Sequence, residues 1–277
     1  LESKSSNIIP IIVPSLRNRV FLDIVAAAQE VISAEGYQMM LINTEYSEKK
    51  ETEAVKAVLS WKPAALILSG TNHPEATLKL IRNVNFPIIE IMEISDQPIN
   101  ICVGFSHRSA GRDMGKYLVG KGYQSFAFYG CKMKRDVRGM KRFEGFRSEV
   151  VEAGLMEPKL NDIDSKFGDL VEGNVLEELA LDCLKYDCIY CTNDDLAIGI
   201  LLTLQRLGKK VPEDLAIAGF NNLEIGRLTS PGLTTSSSPR SEIGTLAAQF
   251  ALDKIKGIQL ESKINDLGCR LVPRGSA

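Results

Sequence analysis

The sequence has little of what several classes of enzyme and membrane protein require. Its two histidines, His73 and His107, lie far apart, which leaves little material for a Ser-His-Asp triad. There is no GxxxxGKS/T phosphate loop, no GxGxxG after a strand pattern, no GxSxG elbow and no HExxH. No apolar run reaches the length of a membrane span, and the first residues are polar, unlike a signal peptide. We therefore expect a protein that is not an enzyme, needs no cofactor and has no membrane partner.

An excess of positive charge is also missing. The chain carries 33 Lys and Arg against 35 Asp and Glu, a net charge of −2. A nucleic-acid-binding surface needs clustered positive charge, so we expect these 277 residues alone to bind DNA poorly. The composition is otherwise that of a globular protein, and the length suits one large or two smaller domains.

Six cysteines raise the question of a redox or metal site, because Cys188 and Cys191 form a CxxC. These two residues lie in an apolar run typical of a buried strand. Side chains three apart on a strand point to opposite faces, which is poor geometry for sharing a metal ion. We expect structural free thiols and no metal site, and free thiols favour the cytoplasm.

Strand and helix patterns alternate along the chain and predict an α/β fold. The predicted strands are 8–13, 39–42, 64–68, 87–91, 101–103, 125–129, 188–191 and 215–219. The predicted helices are 18–34, 51–59, 74–81, 109–121, 142–153, 174–184, 194–207 and 241–256. Two such series predict two Rossmann-like lobes with parallel sheets, which place a ligand cleft between them at the carboxyl ends of the strands. The stretch 229–239, rich in Ser, Thr and Pro, is interpreted as a hinge crossover between the lobes.

Two charged segments are candidates for chemistry. Asp194 and Asp195 form either a general acid/base pair or, the interpretation we favour, a helix start capped by Asn193 or Asp194. The basic segment 132–142, KMKRDVRGMKR, contacts an anionic ligand through at least one arginine, forms a solvated loop, or binds nucleic acid; we favour the first. Arg17, in the first strand-to-helix loop, is a further candidate for the cleft.

Several short motifs, in their order along nearly the whole chain, resemble the core of lac-repressor-type transcriptional regulators. They are VPSL at 13–16 leading to Phe21, FSH at 105–107 followed by Gly111, RFEGF at 142–146, TNDDLA at 192–197, VPEDLAIAGF at 211–220 and LTT at 233–235. Within that family the chain most resembles regulators of gluconate use, on VPSL, LSW at 59–61, VGF at 103–105, TNDDLA, DLG at 266–268 and RGS at 274–276.

The resemblance implies a fold like that of type I periplasmic binding proteins and a homodimer. It implies a hinge-linker end at 1–7, an N-terminal lobe of 8–104 with 236–264, and a C-terminal lobe of 105–235 with 265–277. The helix-turn-helix that binds operator DNA is expected outside this sequence. Effector binding in the cleft would change the angle between the lobes and thereby DNA affinity. Helices two and three of the first half would line the family's dimer interface.

Carried over by position, the resemblance also implies the effector contacts. They are Ser15, Arg17, Phe21, Glu93, Phe105, Ser106, Arg138, Arg142, Asn193 and Asn221. Family members that bind neutral sugars usually have Asp after the GF pair, where this chain has Asn221. Asparagine keeps the hydrogen bonding without repelling an anion. With Arg138 and Arg142 it favours a sugar acid, such as gluconate, or a phosphorylated sugar, unless Asn221 is a turn residue that points away.

Three alternatives stay open. A periplasmic sugar-binding receptor shares the two-lobed form, although it would need a secretion signal and would usually avoid six free thiols. A two-domain enzyme is the less favoured alternative. The segment 271–276 reads LVPRGS, the string of a common engineered protease site, and is either native, which we favour, or a scar of protein engineering.

Overall fold

A computed structural model describes residues 6–16, 18–165, 167–170 and 174–277 of the chain. The chain divides into two compact units, each with its own core. Unit 1 comprises Leu1–Ser106 and Pro239–Gly268, and unit 2 comprises His107–Ser238 and Cys269–Ala277. The lobe boundaries expected from the sequence stay a prediction.

The elements alternate as the hydrophobic pattern predicts. The first stretch holds β1 (Ile8–Val13), α1 (Arg19–Ala34), β2 (Gln38–Asn43), α2 (Glu48–Ser60), β3 (Leu66–Ser69), α3 (Glu75–Ile81), β4 (Ile88–Ile91) and β5 (Ile101–Gly104). The second holds α4 (His107–Gly120), β6 (Phe126–Cys131), a 3-10 turn (Met133–Arg135), α5 (Val137–Glu152), β7 (Lys159–Ile163), α6 (Phe167–Leu170), α7 (Val175–Cys183), β8 (Cys188–Cys191), α8 (Asp194–Arg206), β9 (Ala216–Ala218), α9 (Ile225–Leu228) and β10 (Thr235–Ser237). The last holds α10 (Arg240–Ile255), β11 (Ile264–Asp266) and β12 (Arg270–Val272).

Unit 1 is built on a parallel sheet in the order β11-β5-β4-β3-β1-β2. Its central strands are apolar at nearly every position because helices cover both faces. Val55, Val58 and Ile81 of α2 and α3 pack on one face. On the other, α1 and α10 meet closely, since a Cβ at Gly244 would overlap the carbonyl oxygen of Ile24.

Unit 2 is built on a parallel sheet in the order β7-β6-β8-β9. One face packs against α7 and α8 through an aliphatic cluster that includes Ile189, Cys191 and Leu201. The opposite face is aromatic: the ring of Phe128 lies 5.0 Å from that of Tyr190, and the ring of Phe146 lies 5.4 Å from that of Tyr190. The α/β class with parallel sheets, predicted from the sequence, is confirmed.

Every strand predicted from the sequence is present, but the start of α5 was wrong. The sequence interpretation placed the basic segment 132–142 in a loop and began the helix at Arg142. The helix begins at Val137, because the Asp136 side chain accepts a hydrogen bond from the Gly139 N–H at 2.8 Å and caps it. Arg138 is therefore a helical residue.

The LVPRGS segment is part of the fold of unit 2. Its first residues lie in β12, which pairs antiparallel with β10. Ser276 is fully buried; its hydroxyl donates to the Ile217 carbonyl at 2.6 Å, and its carbonyl accepts from the Ile217 N–H at 2.8 Å. The segment bonds to the outer edge of β9, and its native origin stays a prediction.

Helices α4 and α5 approach closely because both carry glycine at the contact. A Cβ at Gly145 would overlap the carbonyl oxygen of Arg108, and a Cβ at Gly111 would overlap that of Arg142. The backbone of Arg142 is thus fixed by direct packing against α4.

We predict that Gly145→Ala destabilises the chain by about 1–3 kcal/mol, since the added methyl must push the helices apart. Gly120→Ala is the matched control, because Gly120 ends α4 with nothing within 4 Å of the new Cβ. Urea unfolding of both variants measures the difference. Equal midpoints would contradict the close helix contact.

Candidate functional site

The four predicted site residues of unit 2 lie near the carboxyl ends of its strands. Arg138 and Arg142 belong to α5, which follows β6. Asn193 comes two residues after β8, and Asn221 comes three residues after β9. Because β6, β8 and β9 are parallel neighbours, these segments meet at one edge of the sheet.

Arg142 is at the centre of this edge and is only 5% exposed. Its Nη1 lies 2.9 Å from His107 Nδ1, and its Nη2 donates to the Thr192 carbonyl at 3.0 Å. The guanidinium carbon lies 4.2 Å from the ring centroid of Phe220, within cation–π distance. Arg142 thus joins α4, the end of β8 and the loop after β9.

The partners of Arg142 leave its positive charge largely uncompensated. Arginine has no acceptor, so His107 must accept through an unprotonated Nδ1 and is neutral in this contact. Thr192 and Phe220 carry no charge. In the part of the chain that the structure describes, the carboxylate paired with Arg142 is Asp136, with 3.9 Å between Nη2 and Oδ2. Arg142 Nε is buried and has no hydrogen-bond partner among the described residues. A buried cation in this state attracts an anion.

Asn193 begins α8 as its N-cap, with its side-chain oxygen accepting from the Leu196 N–H at 2.9 Å. Of the two capping candidates, Asn193 is therefore the cap and Asp194 is not. Asp194 is fully buried and instead accepts from the Leu223 N–H and from the Thr235 hydroxyl, both at 2.6 Å. Burial raises the pKa of Asp194 to about 6, although both hydrogen bonds favour the carboxylate.

Asn221 lies in a backbone conformation that few residues adopt. Its φ is 108°, and that of Asn222 is 52°. Asn221 is 9% exposed, and its N–H donates to the Ser236 carbonyl at 2.8 Å. Asparagine tolerates positive φ better than most residues, which gives a structural reason for asparagine at this turn.

The predicted site residues of unit 1 also follow the ends of parallel strands. Ser15 comes after β1 and its hydroxyl accepts from the Asn18 N–H at 3.1 Å. Glu93 comes after β4 and is 4% exposed, while Phe105 and Ser106 come directly after β5. Phe21 lies in the first turn of α1 and is buried. Arg17 lies outside the described residues.

Unit 1 also holds a buried charged cluster of His73, Glu51 and Glu90. His73 Nδ1 lies 2.9 Å from Glu51 Oε1, and its Nε2 lies 3.5 Å from Glu90 Oε1, which is an ion-pair contact rather than a good hydrogen bond. Burial opposes the charge of His73, but the two carboxylates outweigh it and raise the pKa of His73 to about 9. The cluster ties α2 and β4 to the loop that precedes α3.

The described residues contain no group of three or more His, Cys, Asp or Glu arranged to hold a metal ion. Cys188 and Cys191 are buried in β8, and burial raises the pKa of both thiols well above the usual value, so both are protonated. Among the described helices, none is long and apolar enough to cross a membrane.

Known proteins share this architecture. The sequence model of the periplasmic binding protein-like domain matches residues 116–277. Over 277 residues the chain is 33% identical to the HTH-type transcriptional regulator GntR of Escherichia coli (strain K12), covering 100% of this chain and 82% of that protein. The crystal structure of the transcription regulator GntR from Chromobacterium violaceum is similar with a TM-score of 0.89 and 34% identity, covering 97% of this chain and 98% of that one. A LacI-family regulator from Silicibacter pomeroyi is similar with a TM-score of 0.91 and 29% identity, over 100% of this chain and 83% of that one.

The chain belongs to the LacI family. It is the effector-binding core of a LacI-family transcriptional regulator, as the motifs predicted, and its relatives are regulators and not enzymes. Because regulators match this chain along its whole length, the comparisons favour a regulator over a periplasmic receptor or an enzyme.

Three residues of this LacI-family site escaped the sequence interpretation: His107, Thr192 and Phe220. All three stand inside the motifs that carry the resemblance. All three contact Arg142, and no local pattern reports such contacts, because His107 lies 35 positions and Thr192 lies 50 positions from Arg142. An arginine at a buried position of α5 needs hydrogen-bond partners, and that need is the signal that could have pointed to these residues.

We predict that the His73 cluster stabilises the chain most strongly below about pH 6.5 and that this stabilisation is lost as the pH rises through about 9. The sign follows because His73 gains affinity for a proton on folding, from its ordinary pKa of 6.5 to about 9. Thermal unfolding from pH 6 to 10 measures the loss. His73→Gln should remove it, and Glu90→Gln should shift it to lower pH. Since the chain has two histidines, NMR can follow His73 directly; a pKa near 6.5 would contradict this account.

Proposed function

We propose that the chain binds a small sugar acid, gluconate or a phosphorylated sugar acid, and that this effector changes the DNA affinity of a dimeric repressor in the cytoplasm. The effector lies in the cleft expected from the family resemblance. Its polar contacts come from Ser15, Arg17, Glu93, Ser106, Arg138, Arg142, Asn193 and Asn221, and its apolar walls come from Phe21 and Phe105.

The observation that carries this proposal is the buried guanidinium of Arg142. Among the described residues its hydrogen-bond partners are uncharged, its Nε has no partner, and Asp136 is at the limit of ion pairing. A neutral sugar would leave this charge as it is. A carboxylate or phosphate would compensate it with charge-assisted hydrogen bonds, which are about twice as strong as neutral ones.

The second support for an anionic effector is that the nearby carboxylate of Asp194 is bonded inside unit 2. Asp194 is the carboxylate of the Asn193-Asp194 pair, yet both its oxygens accept hydrogen bonds from Leu223 and Thr235 inside unit 2. Asn221 supplies an amide without a charge where neutral-sugar regulators usually have aspartate. An anion is therefore less strongly repelled at this edge of the sheet.

Regulation follows from the family. The relatives are HTH-type regulators, and this chain covers 82% of the GntR protein of Escherichia coli. We propose that operator DNA is bound through an N-terminal helix-turn-helix outside this sequence, since a net charge of −2 gives the present residues little attraction for phosphate. Effector binding then alters DNA affinity by shifting the equilibrium between two arrangements of the core.

We predict that gluconate or 6-phosphogluconate stabilises the purified chain and that glucose does not. At a ligand concentration 100 times the dissociation constant, stabilisation is about 2.7 kcal/mol. Arg142→Ala and Arg138→Ala should abolish the thermal shift. Because Arg142→Ala also removes the contacts of Arg142 with His107 and Thr192, Arg142→Lys, which keeps the charge, is included and should retain part of the affinity.

The matched control is Arg147→Ala, on the same helix. Arg147 is half-exposed and paired with Glu157 away from the site. The Arg147→Ala variant should bind the ligand with the affinity of the wild type. Full affinity in both Arg138→Ala and Arg142→Ala, or an equal response to glucose, would refute the anionic-effector assignment.

The homodimer is a further part of the proposal. The apolar side chains of α2 and α3 named above are buried in unit 1 itself, so they give no evidence for or against the interface that the family resemblance places on these two helices. Three large apolar side chains on α8 and α9 are exposed: Leu228 at 79%, Leu202 at 49% and Ile225 at 45%. α9 packs on α8, since a Cβ at Gly226 would contact Ile198. An apolar patch of this kind is typical of an interface.

We predict that sedimentation at micromolar concentration shows a dimer and that Leu228→Asp shifts it toward monomer. A buried aspartate at an apolar interface costs desolvation without a partner. Met156→Asp is the control, because Met156 is equally exposed at 79% but lies after α5. A monomeric wild type would contradict the dimer, and unchanged association of Leu228→Asp would exclude this patch.

A further inference from the structure

The loop after β9, residues 219–223, contains two successive residues with positive φ. Asn221 and Asn222 both have positive φ, 108° and 52°. Two such residues in succession are sparsely populated and persist only where surrounding groups fix them. We call residues 219–223 the β9 loop.

The backbone of the β9 loop is held at successive N–H groups. Gly219 donates to the Thr234 carbonyl at 2.9 Å and Asn221 donates to the Ser236 carbonyl at 2.8 Å. Leu223 donates to the Asp194 carboxylate. The Asn222 N–H reaches the Thr235 hydroxyl at 3.3 Å, the longest of these bonds. The backbone hydrogen bond of Asn222 is therefore the weakest of the four. The side chain of Asn222 provides further hydrogen bonds that can fix this residue.

That side chain is fixed by Arg274, from the LVPRGS segment. Arg274 Nη2 donates to Asn222 Oδ1 at 2.6 Å, and Nη1 donates to the Leu233 carbonyl at 2.7 Å. The Asn222 amide donates in turn to the Ser237 hydroxyl at 3.3 Å. Arg274 itself is anchored, because its N–H donates to the Thr234 hydroxyl at 3.0 Å. Both polar ends of the Asn222 side chain are thus engaged.

The position of Asn222 matters because its neighbours form the site. Phe220 is the ring on which the Arg142 guanidinium stacks. Asn221 is the residue that distinguishes this chain from neutral-sugar regulators. A rotation of the backbone at 222 would move both, and a displacement of about 1 Å is enough to weaken a polar site.

We propose that Arg274 is a positioning residue for effector binding: acting through Asn222, it holds Phe220 and Asn221 of the β9 loop in the geometry that binds the anion. The inference rests on the proposed function, because it concerns the same site. Arg274 does not touch the effector. Its contribution is to keep the β9 loop in one conformation before the ligand arrives.

The test compares Arg274→Met with Arg270→Met by two measurements. Arg270 lies at the start of β12, directly before the LVPRGS segment, and is exposed. Calorimetry with gluconate should show affinity weakened about tenfold or more by Arg274→Met, the loss of a charge-assisted hydrogen bond. Hydrogen exchange should show faster exchange of the amides of 221–223 in Arg274→Met, with Ile217 unchanged. Arg270→Met should match the wild type in both.

A double-mutant cycle separates positioning from a merely structural role. Asn222→Gly removes the acceptor but permits the positive φ. In that background Arg274→Met should change affinity less than about twofold, because the route from Arg274 to the site is already gone. A structural brace would instead lower the melting temperature equally in both backgrounds and leave affinity unchanged.

Each other result overturns the inference. Unchanged exchange at 221–223 in Arg274→Met shows that Arg274 does not hold the loop. Faster exchange with unchanged affinity shows that the loop does not set binding. If the wild type binds none of gluconate, 6-phosphogluconate and the ketogluconates, the proposed function itself fails and the effector role of Arg274 fails with it. The exchange measurement needs no ligand and distinguishes that case from the failure of the loop contact.

Discussion

A buried guanidinium on which three separate segments converge is the constraint that organises unit 2. Removing the Arg142 charge from water is costly unless its donors are satisfied. His107 comes from α4, Thr192 follows β8 and Phe220 follows β9. The strands must therefore end where they do, and α4 must lie close to α5. The glycines at that helix contact meet the second condition, since any side chain there would separate the two helices.

The family motifs can be explained by the same contacts. In RFEGF, Arg142 supplies the cation, Gly145 allows α4 to approach, and Phe146 fills the aromatic core against Phe126 and Tyr190. In TNDDLA, Asn193 caps α8, and Asp194 accepts hydrogen bonds from Leu223 of the β9 loop and Thr235 of β10. These residues cooperate across distant parts of the sequence, and each has a defined physical role.

The sequence predicted eight of the strands in the two parallel sheets because buried parallel strands are continuous apolar runs, as Ile8–Val13 and Cys188–Cys191 illustrate. It missed β7 and β11, which lie at sheet edges, and β10 and β12, which form a short antiparallel pair. It missed the start of α5 because Asp136 caps that helix inside a basic segment. The site was predicted as a set of positions, but the partners of Arg142 depend on tertiary contacts that periodicity does not report.

Charge and geometry are separable in the proposed site. Arg142 and its uncharged partners favour an anion, and they do so whichever sugar carries the charge. Under the proposed function, discrimination among sugar acids would depend on hydrogen-bonding groups such as Ser15, Asn193 and Asn221, whose positions depend on loops. The loop that carries Asn221 is bonded from outside, by Asp194 at Leu223, by β10 at Asn221 and by Arg274 at Asn222. A regulator of this kind can therefore change its preferred sugar acid through residues that never touch the ligand, while its preference for negative charge is unchanged.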